Sequence, residues 1–259
     1  PLHTQPFTLI WNASFGTWVF VSLAAVAAAG LYRRGAGTLG NLEKGLPSML
    51  AVGACLLSFI GVMQEGSQYP RLWEMGEGLA SGVPLILWWA GTLAILATGE
   101  RLKDYAVRAM ALLLAGLSLG PFVRVCIRIA DAPDTLFGSV EFLSGLAAVG
   151  ACFAAAAWLR RYAAPGKSTR ETPWAGLFTA AAGVLLLALL TVEIHSHFRL
   201  APAEGEAEMS ARSLSALLSV SVLWAIYASI LLFLGFGRAR RELRIAAALL
   251  FGLTLAKVY

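Results

Sequence analysis

The chain has 259 residues, of which 58% are hydrophobic and only 14% charged, with a mean hydropathy of +0.72. Soluble domains carry about a quarter charged residues, so this balance excludes a soluble globular protein and indicates an integral membrane one. The net charge of +5 would suit a nucleic-acid partner, but the basic residues sit in short clusters between apolar runs, where membrane topology accounts for them and nucleic acid is not expected.

Apolar runs able to cross a bilayer core of about 30 Å occur near residues 13–32, 46–64, 82–98, 105–123, 136–160, 174–195, 214–236 and 245–259. They predict one all-α transmembrane bundle of about eight spans in four hairpins. The last run is short for a full crossing, and the chain starts without methionine, so the expectation is a piece of a longer protein.

Lys and Arg separate by side. The linkers after spans one, three, five and seven hold 14 of them, from Arg33 and Arg34 to Arg241 and Arg244, whereas the alternate linkers hold only Arg71, Arg124, Arg128, Arg199 and Arg212. By the positive-inside rule the first set faces the cytoplasm of a bacterial inner membrane, with the start of the chain outside. The cytoplasmic turns read as short. The outer connections, 65–81, 124–135 and 196–213, read as longer and carry Gly, Pro and acidic residues.

The four inward helices end alike, in GLYRR, TGERLK, AWLRRY and GFGRARR. That similarity suits either a duplicated hairpin or any bundle of this topology. Small residues at four-residue spacing, namely Ser221, Ala225 and Ser229, Ala248, Gly252 and Ala256, and the pair Gly116 and Gly120, are expected to form the interhelical seams. Trp11, Trp18, Trp73, Trp158 and Trp174 fall near the expected interfaces. Trp88, Trp89 and Trp224 lie deeper, as core or lipid-facing residues.

Residues that could carry chemistry are few. Glu193 and His197 share a helical face in TVEIHSHFR, while His195 points elsewhere; polar packing, a substrate or proton role, and a metal site are the alternatives there. Arg124 and Arg128 run against the topology bias, which calls for local pairing with Asp131 and Asp134 or for anionic lipid headgroups. Lys257 lies about 18 Å into the last span, twelve steps of about 1.5 Å from Ile245, and needs a partner such as Glu193 or Glu141. The three cysteines Cys55, Cys126 and Cys152 form no CxxC pair, and no haem, nucleotide or hydrolase motif is present, so no cofactor or metal is expected.

The run LWAIYASILLFLGFGRARRELRIAAALLFGLTLAKVY, preceded by LLLALLTVEI, resembles the C-terminal part of a large bacterial family of uncharacterised predicted membrane proteins, a domain of unknown function. The likeness is specific at Thr191 to Ile194, Trp224, Tyr227, Gly235, Arg244, Lys257 and Val258. Over the first half it rests on helix order. The chain departs from the pattern at Ala247 and Ala248, where glycine is expected, and at His195, where an aromatic is commoner. The resemblance implies a long polytopic inner-membrane protein and attaches no reaction to it.

Three functions are therefore weighed. The first is a non-enzymatic envelope module binding membrane lipids or other membrane proteins. The second is a transporter or flippase whose path includes Glu141, Glu193 and Lys257. The third is a membrane enzyme acting on a lipid-linked substrate, with Glu193, His197, Arg124 and Arg128 around one outer cleft.

Overall fold

A computed structural model describes residues 13–34, 45–72, 77–131, 136–162, 173–200, 206–238 and 241–258. These residues form nine helices and no strand: α1 (Ala13–Arg34), α2 (Leu46–Leu72), α3 (Glu77–Leu102), α4 (Tyr105–Leu117), α5 (Leu119–Asp131), α6 (Val140–Tyr162), α7 (Pro173–Leu200), α8 (Glu206–Gly237) and α9 (Arg241–Val258). Six crossings are long and apolar enough to span a membrane, and two shorter apolar helices, Gly16–Tyr32 and Leu243–Ala256, stand at the ends of the series. The all-α polytopic bundle is what the hydropathy pattern predicts. It follows because helices satisfy every backbone group within the segment where water is absent.

α4 and α5 are one crossing, Tyr105–Asp131, interrupted at Ser118. The Ser118 hydroxyl donates to the Ala115 carbonyl, and Pro121 supplies no N–H to the turn behind it, so the hydrogen-bond ladder is interrupted there. Its first half packs on α2 and α3. Its second half leans onto α6 and α7. These contacts make the crossing the brace between the two halves of the bundle.

Each sequential pair α1–α2, α3–α4, α6–α7 and α8–α9 packs as a hairpin, and α3 also lies along α6. The buried core runs through α2 to α7. Among the described residues α1 packs only on α2, α9 only on α8, and α8 only on α7 and α9. Two edges of the series are therefore uncovered.

Two sequence expectations change. The connections expected at 65–81, 124–135 and 196–213 are largely helical: α2 runs to Leu72, α5 to Asp131 and α7 to Leu200, while α3 begins at Glu77 and α8 at Glu206. Polar residues at these ends extend the helices past the apolar core instead of breaking them. Most of the small-residue positions are not at seams, and of the α8 stripe only Ser221 and Ala225 are half-buried. Gly116, Gly120 and Gly252 have nothing within 4 Å of where a Cβ would stand, and Ala248, Ala256 and Ser229 are exposed.

Close approach occurs instead where a single glycine meets a larger side chain. A Cβ on Gly61 would lie 2.9 Å from Trp18 Cβ, and one on Gly145 would lie 2.7 Å from Leu189 Cδ1. Dispersion between a bulky group and bare backbone draws these helices together where no hydrophobic force acts in lipid. Two of the deep tryptophans have polar ties: Trp88 donates to the Leu114 carbonyl at 2.8 Å and Trp224 to Thr191 Oγ1 at 2.9 Å. Trp89 is buried.

Candidate functional site

The polar groups collect at the two ends of the rods. At the end with the basic turns, α3 closes through Lys103, a non-glycine residue with φ of 52°, and α4 starts at Asp104. The buried Asp104 carboxylate accepts from the backbone N–H groups of Ala106 (3.0 Å) and Val107 (3.4 Å) and from the Ser48 hydroxyl (2.8 Å). It caps α4 and ties the start of α2 to the turn. Arg108 reaches back to the Gly99 carbonyl and the Glu100 carboxylate, both at 3.4 Å. Sequence reasoning passed over this aspartate, though an Asp immediately before an apolar helical run is a start signal.

At the opposite end, Glu193 is buried near the end of α7. Its Oε1 accepts the Phe137 N–H at 2.7 Å. Phe137 adopts φ of 59° in the turn leading into α6, where the Ser139 hydroxyl caps the helix by accepting from Phe142 N at 3.0 Å. The Phe137 and Phe142 rings meet at a tilt of 60°, with centroids 5.3 Å apart. A carboxylate on one helix thus holds the strained entry of its neighbour, replacing the partner that the turn's N–H would otherwise lack. Nothing in the residue types marks Phe137 for this, because left-handed backbone favours glycine or asparagine.

The structure brings Glu141 and His197 within electrostatic reach of Glu193. Glu141 is half-buried in the first turn of α6, where a negative charge suits the helix dipole. His197 is exposed, with its ring against Phe198 at 5.6 Å, and His195 is exposed on the same helix end. Among the described residues no group of three His, Cys, Asp or Glu side chains is placed to hold a metal ion.

Arg124 and Arg128 are carried by α5. α5 buries Phe122, Val125 and Ile129 and leaves both arginines, with Val123 and Ile127, on its exposed face. They share that face, as their spacing predicts. Asp131 is exposed at the end of the same helix. The side chain of Lys257, and with it the expected contact to Glu193, lies outside the described residues, as do Asp134, Trp11 and Trp73. The cluster is therefore Glu193, Glu141 and His197 around a turn, and the arginine pair lies on the exposed face of α5.

A family model described as "Predicted membrane protein (DUF2339)" matches residues 2–259. No curated protein and no solved structure matches the chain.

Proposed function

The chain belongs to the DUF2339 family of predicted membrane proteins, and from that premise we propose that it is a non-enzymatic module of the bacterial inner membrane that holds anionic lipid headgroups through Arg124 and Arg128. The observation carrying this reading is the division of α5 into two faces: Phe122, Val125 and Ile129 inside, and Arg124 and Arg128 outside beside exposed Val123 and Ile127. Guanidinium groups flanked by exposed aliphatic side chains at the end of a crossing suit the boundary between tails and phosphates. The stems lie along lipid while the planar heads reach phosphate oxygens in pairs. The positive-inside rule puts this end at the outer leaflet. Glu193 supports a non-enzymatic reading in its own way, since its carboxylate is engaged in holding the Phe137 turn.

The test is lipid retention. Wild-type protein in nanodiscs of mixed phosphatidylcholine and phosphatidylglycerol is expected to enrich phosphatidylglycerol in its annulus. Two arginines near the surface contribute about 1 kcal/mol each, so Arg124→Ala with Arg128→Ala should lower that preference roughly 30-fold. The Lys pair should keep most of it if charge alone matters, and lose a larger share if paired guanidinium bonds do. Equal enrichment by wild type and the alanine pair would overturn the reading.

A further inference from the structure

The two halves of the chain carry the same pattern at fixed offsets. Trp88 and Trp224, Gly99 and Gly235, Arg108 and Arg244, and Gly116 and Gly252 are each 136 residues apart, and RAMALLLAGLSL from Arg108 lines up without gaps on RIAAALLFGLTL from Arg244. AAVAAAGLYRR, ending at Arg34, lines up in the same way on ACFAAAAWLRR, ending at Arg161, at an offset of 127. The offset thus grows by nine residues between the first helix and the third, as insertions in connections require.

The contacts repeat with the letters. A Cβ on Gly99 would lie 2.9 Å from Arg108 Cγ, and one on Gly235 would lie 2.8 Å from Arg244 Cγ. At the crossing of α1 and α2 Trp18 meets Gly61; at the crossing of α6 and α7 the counterparts are Gly145 and Leu189, with large and small exchanged between the helices. Ala111 and Ala247, and Leu114 and Leu250, are buried alike. So α1 to α5 form one unit and α6 to α9 a second. Each unit has three of the six long crossings and one of the two shorter apolar helices, four rods in all, so rods that alternate in direction give both units the same orientation.

In the first unit, α3 is covered by α6 of the second. Gly82 lies against Ser144 and Val140, and Leu85 and Trp89 are buried, as is Ala148 on α6. The counterparts on α8 are less covered: Leu218 is exposed, and Ser221 and Ala225 are only half-buried. On α1 the counterparts of Ser144 and Ala148 are Thr17 and Val21, and both are exposed. The two bare edges are therefore the two sides of one joint that the chain already makes internally. Size is also exchanged across it, with Ser221 where the first unit has Leu85, and Val21 where the second has Ala148.

We infer that the α8 face carrying Leu218, Ser221 and Ala225 docks the α1 face carrying Thr17 and Val21 of a second copy of this chain, continuing the α3–α6 joint from copy to copy. The contact is head-to-tail: it joins unlike surfaces and runs on from copy to copy until the rotation between copies closes a ring. This inference does not depend on lipid recognition by Arg124 and Arg128.

The test uses two tagged chains in one membrane, each with Cys55, Cys126 and Cys152 replaced by alanine. One carries Thr17→Cys and the other Leu218→Cys. Oxidation is expected to give a disulfide-linked species containing both tags, and neither chain expressed alone should cross-link. Thr17→Cys with Leu218→Cys in one chain should link copies to one another, as a ladder if the series stays open and as one closed size if it forms a ring. Gly82→Cys with Ser144→Cys, the internal counterpart, reports within one chain that the joint is formed and the protein is folded. Absence of the mixed species while that internal bridge forms would overturn the inference. So would cross-linking of either single variant with itself, which indicates a symmetric contact, or an intrachain bridge between positions 17 and 218.

Discussion

The hairpins α3–α4 and α8–α9 are the same piece of sequence in two settings. One is surrounded, touching α2, α5 and α6; the other, among the described residues, is held by α7 alone. What survives the change of setting is the clasp next to the turn, where an arginine of the returning helix lies over a glycine of the outgoing one. What does not survive is the burial of the outer face: Leu85 and Trp89 are inside, whereas Ser221 and Ala225 are half-exposed. Local geometry is thus written in each hairpin, and the remaining stability comes from whatever lies beside it.

The largest expected effect separates these two sources. Leu85 is fully buried between helices, and Leu85→Ala should cost about 2–5 kcal/mol through the cavity it leaves. Its counterpart Ser221 bonds only to the Leu217 carbonyl of its own helix, so Ser221→Ala in a single copy should change stability by less than about 0.5 kcal/mol. Unfolding titrations in mixed micelles would show this. Similar costs at both sites would mean that the two settings are energetically alike. A cost at Ser221 only in concentrated membranes would instead mark the joint between copies.

The legible part of the fold divides along the same line. Hydropathy and Lys/Arg placement were enough for the helical bundle and its hairpins, because both are single-helix properties. The seams were not legible from stripes such as Ala248, Gly252 and Ala256, since a small residue lets a neighbour approach without saying which neighbour is there. Gly61 and Gly145 carry the close contacts only because Trp18 and Leu189 lie opposite them. The candidate site was half legible: Glu193 and His197 come together through helical spacing. Phe137 escaped because its role is set by a backbone angle that its side chain does not favour.

A smaller effect tests whether the clasp is local. Alanine at Gly99 or Gly235 must displace Arg108 or Arg244, whose backbone nitrogens would lie 3.0 and 3.1 Å from the new Cβ. Overpacking of this kind costs about 1–3 kcal/mol, offset by about 1 kcal/mol of helix propensity. Gly99→Ala and Gly235→Ala should therefore destabilise by similar amounts, about 1 kcal/mol each, in thermal unfolding. A far larger loss at Gly99 would show that the surrounding helices, and not the hairpin alone, hold the arginine in place.

The smallest effect concerns the paired tryptophans, which occupy matching positions and reach different partners. Trp88 ties α3 to α4 within its hairpin, and Trp224 ties α8 to α7, the helix before its hairpin. Neither acceptor is orphaned by Phe, because the Leu114 carbonyl also takes the Ser118 N–H and the Thr191 hydroxyl still donates to Leu187. Each Trp→Phe change should therefore cost about 1 kcal/mol or less in global stability. Hydrogen exchange should tell them apart. Trp224 spans the one seam that secures α8 and α9, so Trp224→Phe should speed exchange across both helices together, by about fivefold for about 1 kcal/mol of local opening. Trp88→Phe should leave α8 and α9 unchanged, since the hairpin it serves keeps its other neighbours. Exchange confined to the residues around Trp224 would show that the edge hairpin does not open as a unit.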